Sequence, residues 1–202
     1  EAWQKIYRQK NKKAEMSAYI SAHCNTEIYR CFLQWLQASD LHAPRSFMEL
    51  GCENGLLTLC LADLWPQAEA AGLDSIGNAI KAARTLARSH RKSRVIFHQA
   101  DLAVQGACHG VPTSEYVLAP FVFHELMEAP TAHWQHILAN LDGLLAPDGC
   151  LIALSRFPYP LTEVPKLHRQ LADIGLVPTQ HSTLSTAREH FPLSIYHRKV
   201  SV

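Results

Sequence analysis

Short apolar segments alternate with amphipathic helical patterns along this 202-residue chain, and no other feature restricts the fold as strongly. Five mostly apolar runs predict buried strands, at residues 47–50, 68–73, 94–100, 115–120 and 150–155. Apolar residues recur at helical spacing in three stretches, 76–86, 134–145 and 161–174. Strands that alternate with helices form mostly parallel sheets covered on both faces. We therefore predict a doubly wound α/β fold.

The two ends of the chain depart from this alternation. Residues 1–44 carry a helical pattern up to about residue 42 and end at Pro44. We expect this segment to be an N-terminal helical extension that covers the substrate side of a main domain at residues 45–202. After Gly175, two β-like runs at 176–184 and 193–200 have no helical pattern between them, which predicts an antiparallel pair at one edge of the sheet.

The composition is that of an ordinary globular protein, with 48% hydrophobic and 18% charged residues. A formal net charge of +1 lacks the basic excess typical of nucleic-acid-binding domains, so no nucleic-acid partner is expected. No run of 18 apolar residues is present, so no membrane segment is expected. The six cysteines form no CxxC pair, which indicates reduced core residues and a cytoplasmic location. Because the sequence begins at Glu1 and not at Met, a place within a larger protein is one expected context, and the oligomeric state is left open.

The stretch FMELGCENGLL, residues 47–57, places a glycine-flanked turn between the first predicted strand and a leucine-rich helix. Such a turn presents backbone N–H groups to a ligand. The spacing differs from the dinucleotide turn G-x-G-x-x-G, because Glu53 stands in place of the middle glycine and its carboxylate would repel a pyrophosphate. No Gly-Lys-Ser/Thr follows, so the turn is not a P-loop. A cofactor with no phosphate and a cationic end fits better, and S-adenosylmethionine (SAM) is such a cofactor.

Two acids follow the next two predicted strands. Asp74 ends the second strand, 23 residues after Gly51, and Asp101 ends the third. Ligands of open α/β sheets bind at the carboxyl ends of the strands. A carboxylate at the end of the second strand is the usual partner of a ribose diol, since it accepts from both hydroxyls. Asp101 suits the exocyclic amine of a purine, so the two acids predict a site for an adenosine-bearing cofactor.

Residues 47–155 resemble the class I SAM-dependent methyltransferases. The resemblance rests on five segments in family order and spacing, namely ELGCENG at 49–55, GLD at 72–74, QADL at 99–102, YVLAPFVFHEL at 116–126 and LLAPDG at 144–149. It implies a seven-stranded sheet with an antiparallel last strand, SAM as cofactor, and S-adenosylhomocysteine (SAH) as product.

The resemblance also implies a set of cofactor-binding residues, which are Glu49, Gly51, Cys52, Gly55, Asp74, Ser75, Asp101, Leu102, Ala119 and Pro120. Within this set the residues of the first loop line the methionine part, Asp74 holds the ribose, and Asp101 with Leu102 holds the adenine. Glu53 departs from the family pattern, which has a glycine there, and it crowds the loop.

The expected activity is methyl transfer to a small-molecule acceptor by in-line displacement, with the protein aligning acceptor and methyl group. The fourth-strand segment APFVFHEL lacks the Asn-Pro-Pro-Tyr pattern of amide and adenine methylation, so those acceptors are disfavoured. Two alternatives remain: a SAM- or SAH-binding module without catalysis, and a methyltransferase acting on protein or RNA.

The histidines near the fourth strand are candidates for chemistry. His124 follows that strand directly, where the acceptor is expected to bind, and is the candidate general base. His133 and His136 form an HxxH pair on the next helix, but the zinc-protease spacing is absent and no metal is expected. We interpret these two as solvent-facing helix residues beside a buried Trp134.

Overall fold

A computed structural model describes residues 27–127, 130–155, 164–187 and 189–199. Seven strands form one sheet in the order β3-β2-β1-β4-β5-β7-β6. They are β1 (Ser46–Leu50), β2 (Glu69–Asp74), β3 (Val95–Gln99), β4 (Ser114–Pro120), β5 (Leu145–Leu154), β6 (Leu176–Ser185) and β7 (His190–Arg198). β1 to β5 pair in parallel, and β7 lies antiparallel between β5 and β6. The predicted mostly parallel, seven-stranded sheet with an antiparallel last strand is confirmed.

Helices cover both faces of this sheet. They are α1 (residues 27–38), α2 (Leu56–Leu64), α3 (Gly77–Ser89), α4 (Phe123–Leu126), α5 (Thr131–Leu144) and α6 (Val164–Ala172). One buried cluster joins α1 and α2 to the sheet, and a smaller cluster joins Ala83 of α3 to Leu59 of α2 and Phe97 of β3. A second cluster joins α5 and α6 to the opposite face. Within the described ranges no helix is long and apolar enough to cross a membrane.

The central strands are buried on both sides, which explains their continuous apolar runs. In β4, Tyr116 and Leu118 lie in the cluster with α1, whereas Val117 and Ala119 lie in the cluster with α5. All four side chains are at most 2% exposed. Successive strand residues point to opposite faces, so a strand covered on both faces must be apolar at every position.

α1 belongs to the core and runs along the sheet between the carboxyl and amino ends of its parallel strands. Its residues Ile28, Phe32 and Leu36 are at most 4% exposed. At its start, Glu27 Oε1 accepts a hydrogen bond from Ala187 N (3.3 Å), just beyond the carboxyl end of β6. After its end, the Arg45 N–H donates to Glu115 Oε2 (2.7 Å) at the start of β4. α1 therefore begins at the carboxyl edge of the parallel strands and descends to their amino edge.

Two local features differ from the sequence prediction, and one connection had no predicted element. The first helix ends at residue 38 and not near 42, because the Ser39 hydroxyl donates to Leu36 O (2.8 Å) and the chain then turns toward Glu115. The β3–β4 connection, residues 101–113, consists of turns with no helix. β5 begins at Leu145 and not at residue 150, and its first part is irregular, since pairing with β4 shifts between Ser114 and Tyr116. Residues 1–26, which carry most of the predicted N-terminal helical pattern, lie outside the described ranges.

Candidate functional site

The loop between β1 and α2 has an unusual backbone. Gly51, Glu53 and Gly55 all take left-handed conformations, with φ of 66°, 46° and 78°. The loop closes through a hydrogen bond from Gly55 N to Cys52 O (2.7 Å), and Cys52 N donates to Leu73 O (3.1 Å) of β2. Left-handed geometry suits glycine but strains a residue with a side chain, so Glu53 is the strained member. The turn places the start of α2 at the carboxyl edge of the sheet.

Gly51 and Gly55 must both be glycine, because neighbouring atoms leave no room for a Cβ atom. A Cβ atom at Gly51 would lie 2.8 Å from Cγ2 of Val122, which follows β4. A Cβ atom at Gly55 would lie 2.7 Å from the Phe97 ring and 2.9 Å from Ala83 Cβ. The β1 and β4 loops are thus in contact at the point where the strand order reverses from β3-β2-β1 to β4-β5. Ligands of open α/β sheets bind at this switch point.

Asp74 ties the first two loops together. Its side chain is 7% exposed. Oδ2 accepts a hydrogen bond from Glu53 N (2.9 Å), and Oδ1 accepts one from Ile76 N (2.8 Å). A carboxylate offers about four acceptor positions, so these bonds are compatible with a ribose diol at the same group. Ser75 lies between these contacts and is half-buried.

Glu49 is a buried acid at the end of β1. It is 2% exposed, and its Oε2 accepts a hydrogen bond from the Thr58 hydroxyl of α2. Burial raises the pKa of Glu49 to about 8, aided by the nearby Glu53 and Asp74 charges and opposed by the Thr58 hydrogen bond. The carboxyl is therefore mostly protonated at neutral pH. A cationic group of a ligand would favour its ionised form.

Cys52 is held differently from its neighbours. Its side chain is 3% exposed and packs with Leu59 and Phe97. Burial, together with the Glu49 and Asp74 charges, raises the pKa of the Cys52 thiol well above its ordinary value. The thiol is thus a protonated core group, and Cys52 contributes to the edge through its backbone.

The turn after β3 carries the second predicted acid. Asp101 Oδ1 accepts a hydrogen bond from Ala103 N (2.9 Å), and Leu102 is 6% exposed. The turn is attached to α5, because Asn140 Nδ2 donates to Leu102 O (2.8 Å) and the His136 ring lies 3.2 Å from Ala103 O through Nδ1. His136 is therefore half-buried against this turn, contrary to the solvent-facing position predicted for it.

The end of β4 forms the other side of the site. Ala119 and Pro120 are buried. Phe121 has φ of 60°, an outlier for a bulky residue, and its N–H donates to Leu154 O (2.7 Å) at the end of β5. Its ring lies edge-on to Phe191 of β7, with centroids 5.6 Å apart. His124 lies in α4, directly after this turn.

The structure brings the predicted residues of β1 to β4 to one edge, but sequence reasoning missed two supporting residues there. Thr58 bonds Glu49, and Asn140 bonds the Asp101 turn. Each is a polar residue inside an apolar helical stripe, which is the one signal that could have identified them. In the part of the chain that the structure describes, no group of three or more His, Cys, Asp or Glu side chains could hold a metal ion.

Comparison with known proteins agrees with this geometry. Residues 48–151, half of the chain, match the sequence model of a family described as "Methyltransferase domain". Trans-aconitate 2-methyltransferase of Pseudomonas paraeruginosa is 33% identical over 124 residues, which is 61% of this chain and 40% of that protein. The enzyme of the same name from Rhodopseudomonas palustris is 30% identical over 149 residues, 74% of this chain and 52% of that protein. The chain thus spans about half or less of the length of these relatives.

Solved structures share the fold. A TehB-like SAM-dependent methyltransferase from Corynebacterium glutamicum superposes with a TM-score of 0.68 at 12% identity, covering 95% of this chain and 100% of the other. The N-methyltransferase NodS from Bradyrhizobium japonicum, solved with SAH, gives 0.64 at 21% identity, covering 84% and 85%. The family match, the strand order and the loop geometry together show that the chain belongs to the class I SAM-dependent methyltransferases.

Proposed function

We propose that this protein transfers a methyl group from SAM to a small-molecule acceptor. The proposal rests on the contact between the β1 and β4 loops. A Cβ atom added to Gly51 would lie only 2.8 Å from Cγ2 of Val122. Cofactor-side residues lie on one side of this contact and the end of β4 lies on the other. A methyl donor and an acceptor held on these two sides would be adjacent.

The cofactor side would hold SAM through groups of fixed position. Asp74 would bind the ribose hydroxyls, and its two backbone hydrogen bonds hold the carboxylate in place for this. Glu49 would lie near the methionine part, where a cationic amine favours its ionised form. Asp101 and Leu102 would contact the adenine. Bound SAM supplies an electrophilic methyl group at its sulfonium, so the protein mainly has to align the acceptor.

The acceptor side would be formed by the end of β4, the start of β7 and the N-terminal segment. Phe121 and Phe191 form an aromatic pair at this edge. α1 begins at the same edge, where Glu27 bonds Ala187. Residues 1–44 would therefore cover the acceptor and exclude water. His124, directly after β4, would take the proton of a neutral acceptor.

A small acceptor is favoured over a macromolecule by two facts. Two relatives carry the name trans-aconitate 2-methyltransferase, and a malonyl-[acyl-carrier protein] O-methyltransferase of Paenibacillus is 24% identical over 191 residues. The formal net charge of +1 offers no general attraction for nucleic acid. The non-catalytic alternative has its own support, since the strained Glu53 occupies the glycine position of the loop.

The test is a transfer assay with SAM carrying a deuterated methyl group. Trans-aconitate, other small carboxylic acids, a malonyl-loaded carrier protein, and bulk protein and RNA would be offered, and products read by mass spectrometry. We expect label in a small molecule, lost with Asp74→Ala but retained with Glu115→Gln, which alters an acid at the opposite edge. Label only in bulk protein or RNA, and neither in a small acid nor in the carrier-bound malonyl group, would contradict the small-acceptor proposal. SAH binding with no labelled product from any acceptor would support the binding module.

A further inference from the structure

The segment that carries Asp101 and Leu102 contains no helix of its own. Residues 101–113 form successive turns closed by their own backbone bonds, such as Val104 N to Asp101 O (3.0 Å) and Ala107 N to Val104 O (3.2 Å). Bonds of this kind give the segment its shape but do not fix its position relative to the sheet. The Ala100 N–H donates to Asp74 O (3.0 Å) and so fixes where the segment leaves the sheet, but its path beyond Asp101 depends on contacts with another element.

Asn140 of α5 provides such contacts. Its side chain is 5% exposed and makes three hydrogen bonds to the backbone of the turn. Nδ2 donates to Leu102 O (2.8 Å) and to Val104 O (2.8 Å), and Oδ1 accepts from Cys108 N (3.3 Å). One amide thus connects three points of the turn.

The helix that carries Asn140 is itself firmly placed. Its neighbours Ile137 and Leu141 are at most 1% exposed and belong to the core cluster between α5 and the sheet. One turn earlier, the His136 ring also meets the segment at Ala103 O. The sheet therefore positions α5, α5 positions Asn140, and Asn140 positions the turn.

We propose that Asn140 is a positioning residue for nucleobase recognition, which holds the 101–108 turn so that Asp101 meets the exocyclic amine of the cofactor's adenine. The inference rests on the proposed function, because it requires the adenine to bind at this turn. Asn140 would act through the backbone of Leu102 and Val104 and would not touch the cofactor. A loosened turn would bind less tightly and would also distinguish nucleobases less well.

The experiment measures dissociation constants of SAH and of S-inosylhomocysteine, which has a carbonyl in place of the adenine amine, by calorimetry. The parent is expected to prefer SAH by roughly 10- to 100-fold, the range for a hydrogen bond to a charged group. Asn140→Leu has a similar shape but makes none of the three bonds. It should lose about tenfold in SAH affinity, and its preference should fall to within about threefold.

Two controls separate positioning from stability and from the cofactor assignment. Ile195→Ala, in the buried cluster on the opposite face of the sheet, removes core packing away from the turn and from α5, so it should keep the parental preference even as it lowers the melting temperature. Asp101→Asn should abolish the preference. If Asp101→Asn keeps it, the adenine binds elsewhere and the proposed cofactor site is wrong.

If Asp101→Asn abolishes the preference while Asn140→Leu retains the parental ratio, the positioning role is overturned and the cofactor site stands. Should Asn140→Leu fail to fold, Asn140→Asp decides by the same ratio, because it keeps an acceptor for Cys108 N but loses both donated bonds. A parental ratio in the folded Asp variant would equally overturn the role.

Discussion

The two halves of the carboxyl edge are built in different ways. In the cofactor half, the geometry lies mainly in the backbone, with left-handed angles at Gly51, Glu53 and Gly55 and two backbone amides on Asp74. In the acceptor half, the contacts join segments far apart in the chain, such as Phe121 of the β4 end with Phe191 of β7. The residues of the first half form short motifs that can be read in the sequence, whereas the contacts of the second half have no such local pattern.

The strongest test of this division removes residues 1–26. We expect complete loss of methyl transfer with SAH affinity largely retained, because the cofactor-side contacts come from β1 to β4 and α5. The cut should stop before Ile28, since Ile28 and Phe32 are buried in the core and their removal would unfold the domain. Turnover on the identified acceptor and calorimetry with SAH check both halves. Full turnover by the truncated protein would contradict the proposal that this segment covers the acceptor.

His124→Gln should act on the acceptor half alone. General-base catalysis typically contributes 10²–10⁴-fold, so we expect turnover to fall by at least about 100-fold. The parent rate should rise with pH between pH 5 and 9 as a general base loses its proton, and the variant should lose that dependence. SAH affinity should not change. A variant within a few-fold of the parent, with the same pH profile, would make His124 a structural residue.

Asp74→Ala should act on the cofactor half. A hydrogen bond to a charged group contributes about 1.5–3 kcal/mol, so SAH affinity should fall by roughly 10- to 150-fold. Glu115→Ala is a matched control, because Glu115 also accepts a backbone N–H, that of Arg45, but at the amino edge. The control should lower the free energy of unfolding and leave SAH affinity unchanged. Unchanged affinity in Asp74→Ala would mean that the ribose is held elsewhere.

Glu49→Gln should change the pH dependence of stability. The pKa of Glu49 is raised from 4.5 to about 8 by burial, so between these values the folded state keeps a proton that the unfolded state has lost. Stability from this group is complete below pH 4.5 and falls by about 1.4 kcal/mol per unit as pH rises toward 8. Urea denaturation from pH 5 to 8 should show a flatter slope for the variant. Parallel parent and variant curves would contradict the raised pKa.

Gly51→Ala should weaken the contact between the halves. Gly106→Ala is the control, since both glycines have φ of 66° but a Cβ atom at Gly106 has nothing within 4 Å. Left-handed strain should cost each variant about 1–2 kcal/mol of unfolding free energy. Gly51→Ala should lose about 1 kcal/mol more from its clash with Val122, an overpacking cost. Adding Val122→Ala to Gly51→Ala should remove this extra loss, and equal losses in Gly51→Ala and Gly106→Ala would rule out a close β1–β4 contact.

The local or distant origin of each contact also explains what the sequence could predict. The glycine loop, Asp74 and the strand ends were correctly placed, because periodicity and turn chemistry act over a few residues. Thr58 and Asn140 were missed because a polar residue in an apolar stripe does not name its distant partner. The end of α1 was placed too late, since the Ser39 hydroxyl bonds Leu36 O and the chain then turns toward Glu115, a partner across the fold that the helical pattern does not indicate. The helical pattern in residues 1–26 and the covering role of residues 1–44 stay predictions.

The position of β7 has a consequence for synthesis of the chain. β7 is the last described strand along the sequence, yet it lies inside the sheet, between β5 and β6. Its residues Phe191 and Leu193 share a buried cluster with Ile28 and Phe32 of α1, the first described helix. On the ribosome, α1 is therefore made long before the strand against which it packs. The β1–β4 unit, with which α1 also shares its buried cluster, can form as it emerges. This side of the molecule closes only after β7 is released, and until then the apolar surface of α1 that packs with β7 is open to chaperones and to aggregation.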